Sequence, residues 1–313
     1  MTELPDLSII IVNWNVRDLL RDCLLSIERG RGELTLEVIV VDSASSDGSA
    51  AMLAAEFPWV TLIACQENVG FPKGNNLGVA KANGRYILLL NPDTAVLGQA
   101  LTIMWKYVQD HPDVGIVGAQ LLNADGSVQS SRRRFPTLAT AFFESTWLEP
   151  LAPAGLLTRY YAQDVPDDQT ADVDWVTGAC MMAPRTAVTA VGGMDEAYFM
   201  YSEELDWCRR MKDAGWRVVY LPAAQIIHYE GKSSEQAIVA RHINFQQAKL
   251  RYFRKYHSRL AAGLLRLFLL TNYFWQLIIE GAKGALGHKR PLRRQRVQAY
   301  WAVLRSGLRP AGY

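Results

Sequence analysis

The chain has 313 residues, half of them hydrophobic and a fifth charged, with 33 Lys and Arg against 31 Asp and Glu. That composition excludes a disordered chain, a collagen-like repeat and a small disulfide scaffold, and it allows a sizeable core. The near-neutral sum hides a split: residues 1–240 carry 18 basic and 30 acidic side chains, whereas residues 241–313 carry 15 basic side chains and one acid, Glu280. An acidic or ion-binding body over 1–240 with a basic appendage over 241–313 is the organisation this predicts.

Leu7–Asn13 is a continuous β-branched run and predicts a buried strand. A helix follows over 18–28, a second strand over 36–42, a helix over 48–57 and a third strand over 60–64. A helix over 74–82 and a strand over 85–90 complete the series. This alternation predicts βαβ units and a mainly parallel sheet, an α/β fold. Ligands of such sheets bind beyond the carboxyl ends of the strands. That rule selects Asn13 and Asp42, each the first polar group to follow an apolar run, and Asp93, the first carboxylate beyond a third such run.

Further along, a helix over 101–110 and a strand over 115–119 are expected, then a long connection over 131–172 with one or two helices. A strand over 174–183, a helix over 203–214, a strand over 216–221 and a helix over 239–256 follow. The four cysteines, Cys23, Cys65, Cys180 and Cys208, form no CxxC pair, so neither a zinc site nor a redox dithiol is indicated. They are expected as small buried hydrophobes. The first residues lack a basic segment followed by an apolar one, so a reducing cytosolic location is expected.

Leu260–Ile279 is twenty residues long and largely apolar, with Arg266 inside it. A central Arg costs roughly 2.5–3.5 kcal/mol on insertion scales. The basic cluster 289–296 follows directly, which suits an interfacial anchor on an anionic membrane surface. Packing on the body, a homodimer contact and a true span are the alternatives.

Four loops carry the chemistry. Val12-Asn13-Trp14-Asn15 closes the first strand, and 41–49 (VDSASSDGS) follows the second. The third is followed by 68–76 (NVGFPKGNN), the fourth by Leu90-Asn91-Pro92-Asp93-Thr94. A strand-end carboxylate such as Asp42 can accept a base N–H or a ribose hydroxyl. A glycine-rich loop opening a helix offers N–H groups to a diphosphate. Asp93 can hold a hard cation against that diphosphate. Each piece has an ordinary alternative: Asp47 as a helix cap, Gly70, Gly74 and Gly78 as turn and packing glycines, 91–94 as a turn.

In this order the four motifs resemble glycosyltransferase family 2, of GT-A fold, and within it the rhamnosyltransferase-like branch. The resemblance runs from about Leu7 to about Ser234. It implies a Rossmann-like mixed, mainly parallel sheet flanked by helices, with a helical C-terminal appendage. The nucleotide-sugar contacts it implies are Val12, Asn13, Trp14, Asp42, Ser43, Asn68, Gly70, Phe71, Lys73, Asn75, Asn91, Pro92 and Thr94. Asp93 inherits the metal position, with Asn91 where the family's first acid stands.

The second half resembles the same family. Residues 175–181 (WVTGACM) resemble its WxxGA segment, which implies Gly178 and Ala179 beside the donor sugar. Residues 192–199 (GGMDEAYF) match its GGFDExFF segment, and 202–210 (SEELDWCRR) its acidic motif at a helix N-terminus. The catalytic base maps onto Glu204, with Glu203 as rival and Asp206 as a structural acid that holds an arginine such as Arg209. His228 opens an HxxGxS-like loop, implying a metal or diphosphate contact, with Lys232 and Ser233 on the diphosphate.

The resemblance implies an inverting, metal-dependent glycosyltransferase using Mg²⁺ or Mn²⁺. The expected sugar donor is dTDP-L-rhamnose first and a UDP-sugar second. With a tail suited to a bilayer surface, the expected acceptor is a polyprenyl-diphosphate-linked or polysaccharide glycan at the inner face of the cell membrane. Arg132-Arg133-Arg134 is either a solvated run or a contact for an anionic acceptor. Basic and aromatic residues do not interleave as in nucleic-acid binders, so no nucleic acid is expected. A dehydrogenase lacks its GxGxxG after the first strand; a nucleotidyltransferase and a non-catalytic membrane scaffold remain as the other classes.

Overall fold

A computed structural model describes residues 4–144, 146–229, 237–287 and 289–309. The strands are β1 (Leu7–Asn13), β2 (Leu36–Asp42), β3 (Thr61–Ala64), β4 (Tyr86–Leu90), β5 (Thr94–Val96) and β6 (Val114–Leu122), then the short β7 (Val128–Gln129), β8 (Arg132–Arg133), β9 (Ala171–Asp172) and β10 (Trp175–Val176), and finally β11 (Cys180–Pro184) and β12 (Arg217–His228). The helices of the first half are α1 (Arg17–Gly30), α2 (Ser49–Glu56), α3 (Phe71–Lys81) and α4 (Ala100–Asp110). After them come α5 (Leu138–Phe143), α6 (Leu156–Tyr160), α7 (Arg185–Val191), α8 (Glu203–Asp213), α9 (Ile238–Tyr256), α10 (Arg259–Ala285) and α11 (Arg290–Ser306).

Two compact units form. The first, Met1–Phe135, Tyr161–Glu196 and Glu203–Ser233, contains a sheet with main order β3-β2-β1-β4-β11-β6-β12-β5. Strands β3, β2, β1 and β4 run parallel; β11 is antiparallel to both β4 and β6, and β5 antiparallel to β12. Helices α1, α2 and α4 bring Leu20, Leu24, Ile27, Leu53, Leu101 and Met104 into one core with Ile9, Ile11, Val40 and Leu88. On the other face α3 lies against β1. A Cβ at Gly74 would stand 2.8 Å from a Val12 methyl, and one at Gly78 would stand inside the contact distance of Ile10. These two glycines let the helix approach the strand.

Three elements depart from expectation for local reasons. Helix α3 starts at Phe71, three residues early. Gly70 takes φ 78° before it and Pro72 sits in the first turn, where a missing N–H costs nothing. The strand expected over 174–183 divides into β10, which pairs with β8 in a separate two-stranded sheet, and β11 of the main sheet. Conversely, β12 runs unbroken for 12 residues; it accommodates Pro222 where its register with β6 shifts between Leu221 and Gln225. Strand β5 and helices α7 and α11 were not anticipated as separate elements.

The second unit is Pro136–Tyr160, Ala197–Ser202 and Ser234–Tyr313. Within it, α10 buries Ala262, Leu265, Leu269, Asn272 and Tyr273 along one face. Leu260, Leu264, Leu267, Phe274, Trp275 and Ile278 are exposed on the opposite face. By length and composition α10 is long and apolar enough to cross a membrane. All four cysteines are free; burial pushes the thiols of Cys23, Cys180 and Cys208 up to about 12.

Candidate active site

Register brings the sequence-selected residues to one edge of the sheet. Asn13 pairs with Asp42 and Asp42 with Ala64; Leu90 pairs with Cys180, and Thr94 with His228. The loops beyond these strand ends therefore share that edge.

The first cluster joins the ends of β1, β2 and β3. Asn13 Nδ2 donates to Asp42 Oδ1 at 2.8 Å and to Ser45 Oγ at 3.1 Å, and Ser45 N–H donates to Asp42 Oδ2 at 3.1 Å. Ser43 Oγ donates to Asn68 Oδ1 and accepts from Val69 N–H, while Asn68 Oδ1 also takes Gly70 N–H. Asp42 is buried with Asn13, and Asn13 Oδ1 is buried with no partner. A buried acceptor without a donor is costly, so this atom is a ready contact for a ligand N–H or O–H. Val12, Trp14 and Phe71 are partly accessible around the cluster and Lys73 is exposed.

Asp47 is not itself a cap residue, Gly48 holding that position before α2, but its carboxylate accepts the first N–H of two helices, that of Arg17 at 2.7 Å and that of Ser49 at 3.0 Å. Burial raises its carboxyl, and the hydrogen bonds from Ser49 and Arg17 outweigh that and hold it below the usual range. Asn75 is buried and donates to the Phe71 carbonyl one helical turn back. The buried Thr94 hydroxyl donates to the Asn91 carbonyl, and buried Pro92 continues that turn.

The second cluster holds Asn91, Asp93 and His228. Asp93 Oδ1 stands 3.5 Å from His228 Nε2, both side chains being nine-tenths buried. Gln129 Oε1 lies 2.8 Å from His228 Nδ1, and Gln129 Nε2 donates to Asn123 Oδ1, which orients that amide. An oxygen acceptor requires Nδ1 to donate, and in the neutral ring that leaves the lone pair on Nε2, the nitrogen nearest Asp93. Asn91 Nδ2 approaches the same nitrogen at 3.4 Å, and Asn91 Oδ1 is buried with no partner. The Asp93 carboxylate and the His228 imidazole, with an unpartnered buried oxygen on neighbouring Asn91, are donors that suit a hard divalent cation with open positions left for a ligand. Among the described residues no group of three His, Cys, Asp or Glu side chains surrounds a common point. The protein's own donor set is thus small.

The third cluster carries the carboxylates. A Cβ at Gly178 would stand 3.5 Å from the Phe71 ring and 3.6 Å from the Glu204 Cβ. The glycine-rich loop, the 175–181 segment and the first turn of α8 therefore converge. Ala179 is buried, its carbonyl accepting the Asn91 N–H at 2.9 Å. Glu203 is buried and Glu204 partly accessible, and each has one carboxylate oxygen without a partner. Burial, then the neighbouring Glu204 charge, pushes the Glu203 carboxyl well up. Burial also raises Glu204; N–H groups at the helix start and the Arg133 guanidinium oppose the rise. A carboxylate raised toward neutrality suits a proton acceptor.

Asp206 pairs with Arg210 at 2.9 Å, whereas Arg209 turns to Asp213 at 3.0 Å. The i,i+4 spacing overrides the expected Asp206–Arg209 pair. Arg210 further donates to the carbonyls of Val191 and Gly193, tying α8 to the 192–199 segment. Asn76 holds that segment from α3, donating to the Met194 carbonyl and to Glu196 and accepting the Met194 N–H. The arginine run is not uniformly solvated. Arg132 is buried, pairs with Asp167 at 2.8 Å and lies 4.6 Å over the Tyr220 ring. Arg133 stacks on Tyr161 at 4.7 Å. Sequence reasoning missed Gln129 and Asn76, since their roles depend on strand and helix partners distant in the chain. Lys232 and Ser233 lie outside the described residues.

A mainly parallel sheet flanked by helices, with polar loops gathered at its carboxyl edge, is the GT-A architecture of a glycosyltransferase. The chain belongs to glycosyl transferase family 2, whose model matches residues 8–166. It is 28% identical over 213 residues to the N-acetylglucosaminyl-diphospho-decaprenol L-rhamnosyltransferase of Mycobacterium tuberculosis, an alignment spanning 64% of this chain and 69% of that relative. It is 32% identical over 169 residues to rhamnosyltransferase WbbL of Escherichia coli, spanning 51% of this chain and 61% of WbbL. Among solved structures it resembles the mannosyltransferase PcManGT of Pyrobaculum calidifontis in complex with GDP-Man and Mn²⁺. The TM-score is 0.57 at 18% identity, over 99% of this chain and 89% of that one, a likeness of fold.

Proposed function

We propose that this glycosyltransferase transfers L-rhamnose from dTDP-L-rhamnose, with inversion, to a hydroxyl of a polyprenyl-diphosphate-linked or cell-wall glycan. The convergence of Phe71, Gly178 and Glu204 carries the reading, for a carboxylate next to the glycine-rich loop is what a proton acceptor beside a sugar diphosphate would require. The named rhamnosyltransferase relatives support the choice of sugar. Asp42 and Asn13 would take the nucleoside, and the N–H groups that open α3 the diphosphate, with Lys73, Lys232 and Ser233 as further contacts. Asp93 and His228 would hold Mg²⁺ or Mn²⁺, which when bound neutralises charge on the leaving diphosphate. Glu204 accepts the proton of the acceptor hydroxyl as its oxygen bonds to the anomeric carbon. The bond from that carbon to the diphosphate breaks, and the nucleoside diphosphate departs with the electron pair. One displacement with one base inverts the anomeric centre.

The second unit is read as a peripheral anchor on the anionic inner face of the cell membrane, supported by the exposed apolar face of α10 and the basic excess of 241–313. Incubation with a panel of sugar nucleotides and a polyprenyl-diphosphate glycan tests the chemistry. Release of dTDP matched by one rhamnose on the acceptor is the expected result. Turnover with UDP-sugars alone would replace the donor, and release of inorganic diphosphate from a nucleoside triphosphate would replace the reaction class.

A further inference from the structure

The sugar-transfer chemistry makes no use of the groove between the end of α10 and the start of α11. It has a volume of about 650 Å³, and Arg290, Arg293 and Arg294 line it together with Gln295 and Gln298. Gly281 and Gly284 form its α10 side, and a Cβ at Gly281 would meet nothing within 4 Å. The backbone there leaves room for a ligand. The one acid in the lining is Glu280, which pairs with Arg293 and stands 3.6 Å from Arg296. Arg290 and Arg294 have no acidic partner among the described residues. The groove therefore presents uncompensated guanidinium groups, whose planar donor forks match phosphate oxygens.

The surroundings select the form of that phosphate. Leu286, in the turn between the two helices, is 87% exposed, and Leu292 beyond the turn is exposed as well. The apolar face of α10 continues the same character with Trp275 and Ile278, and it recurs at helical spacing back to Leu260. A free phosphate gains nothing from apolar surface. A phospholipid offers its phosphate directly above its acyl chains, so basic groove and apolar face are satisfied together.

We propose that the α10–α11 groove binds the phosphate of an anionic phospholipid headgroup while the apolar face of α10 lies in the bilayer interface. The inference rests on the reading of the second unit as a membrane anchor and adds a specific headgroup site to it. The full chain is sedimented with phosphatidylcholine vesicles, with and without phosphatidylglycerol. The wild type partitions onto the anionic vesicles. Arg290→Gln/Arg294→Gln weakens that partition roughly 30-fold, about fivefold for each cation at the surface. Arg31→Gln/Lys81→Gln removes the same charge from exposed positions of the first unit and leaves partition within about twofold of wild type, since neither cation lines the groove.

An equal loss in both double variants, or none in the groove variant, overturns the headgroup site while leaving the anchor standing. A wild type that ignores anionic vesicles overturns both. Tight binding of inorganic phosphate without vesicles, lost in the groove variant, reassigns the groove to a soluble anion and also overturns the proposal. Melting curves show that each variant is folded before partition is compared.

Discussion

Replacing Glu203 by Gln tests how the carboxylate pair at the start of α8 is divided. Glu203 is 3% exposed and one of its oxygens has no partner. Burial first, and the Glu204 charge second, raise its carboxyl well above the ordinary 4.5. The sign follows from linkage. A carboxyl raised in the folded state contributes stability that is fully present below its unfolded value and is lost as pH rises through the folded value. Glutamine at this position does not titrate, so E203Q gains on wild type as pH rises and the gap closes in acid. Each tenfold in proton affinity is worth about 1.4 kcal/mol. E203Q therefore gains in melting temperature over wild type as pH rises from the ordinary carboxylate value to neutrality, by about 2–4 °C for each kcal/mol of this linkage in a unit of this size. Thermal denaturation followed by circular dichroism across that range reads the effect. A gap independent of pH, or one that grows in acid, refutes the account of Glu203 as a buried carboxyl whose proton affinity is raised by burial and by Glu204.

Glu204→Gln is expected to leave nucleoside-diphosphate affinity unchanged, measured by calorimetry, and to lower turnover by about 10²–10⁴; a larger loss for E203Q than for E204Q would move the base by one residue. Asp93→Ala should abolish the part of dTDP affinity that depends on Mn²⁺, and unchanged metal-dependent affinity would remove Asp93 from the site. Gly193→Ala should lower the melting temperature, because its Cβ would fall on the Asn76 amide that holds the Met194 backbone through two hydrogen bonds of 2.9 Å. With each bond worth about 1 kcal/mol, a loss near 2 kcal/mol is expected, and an unchanged melt counts against that lock. A thiol reagent near neutral pH should modify Cys65 and spare the buried Cys23, Cys180 and Cys208, while in denaturant all four react; rapid native reaction of more than one thiol would contradict their burial.

The strands and their ends were legible in the sequence. A strand of a parallel sheet is buried on both faces, so it must be a continuous apolar run, and its first polar residue marks the sheet edge. That is why Asn13 and Asp42 could be selected from hydrophobicity alone, why Asp93 stood out as the first carboxylate past β4, and why the loops after β1 to β4 could be set along one edge. Tertiary structure decided the rest. Periodicity does not encode which of two adjacent glutamates points inward; the packing around α8 buries Glu203 and leaves Glu204 partly open. Spacing could not say that Arg132 would leave solvent for Asp167 and Tyr220, or that Gln129 would orient His228. Those partners are distant along the chain, and only strand register and helix packing bring them within hydrogen-bond reach. Local sequence reports whether a side chain is to be buried; the identity of its neighbour is a property of the assembled fold.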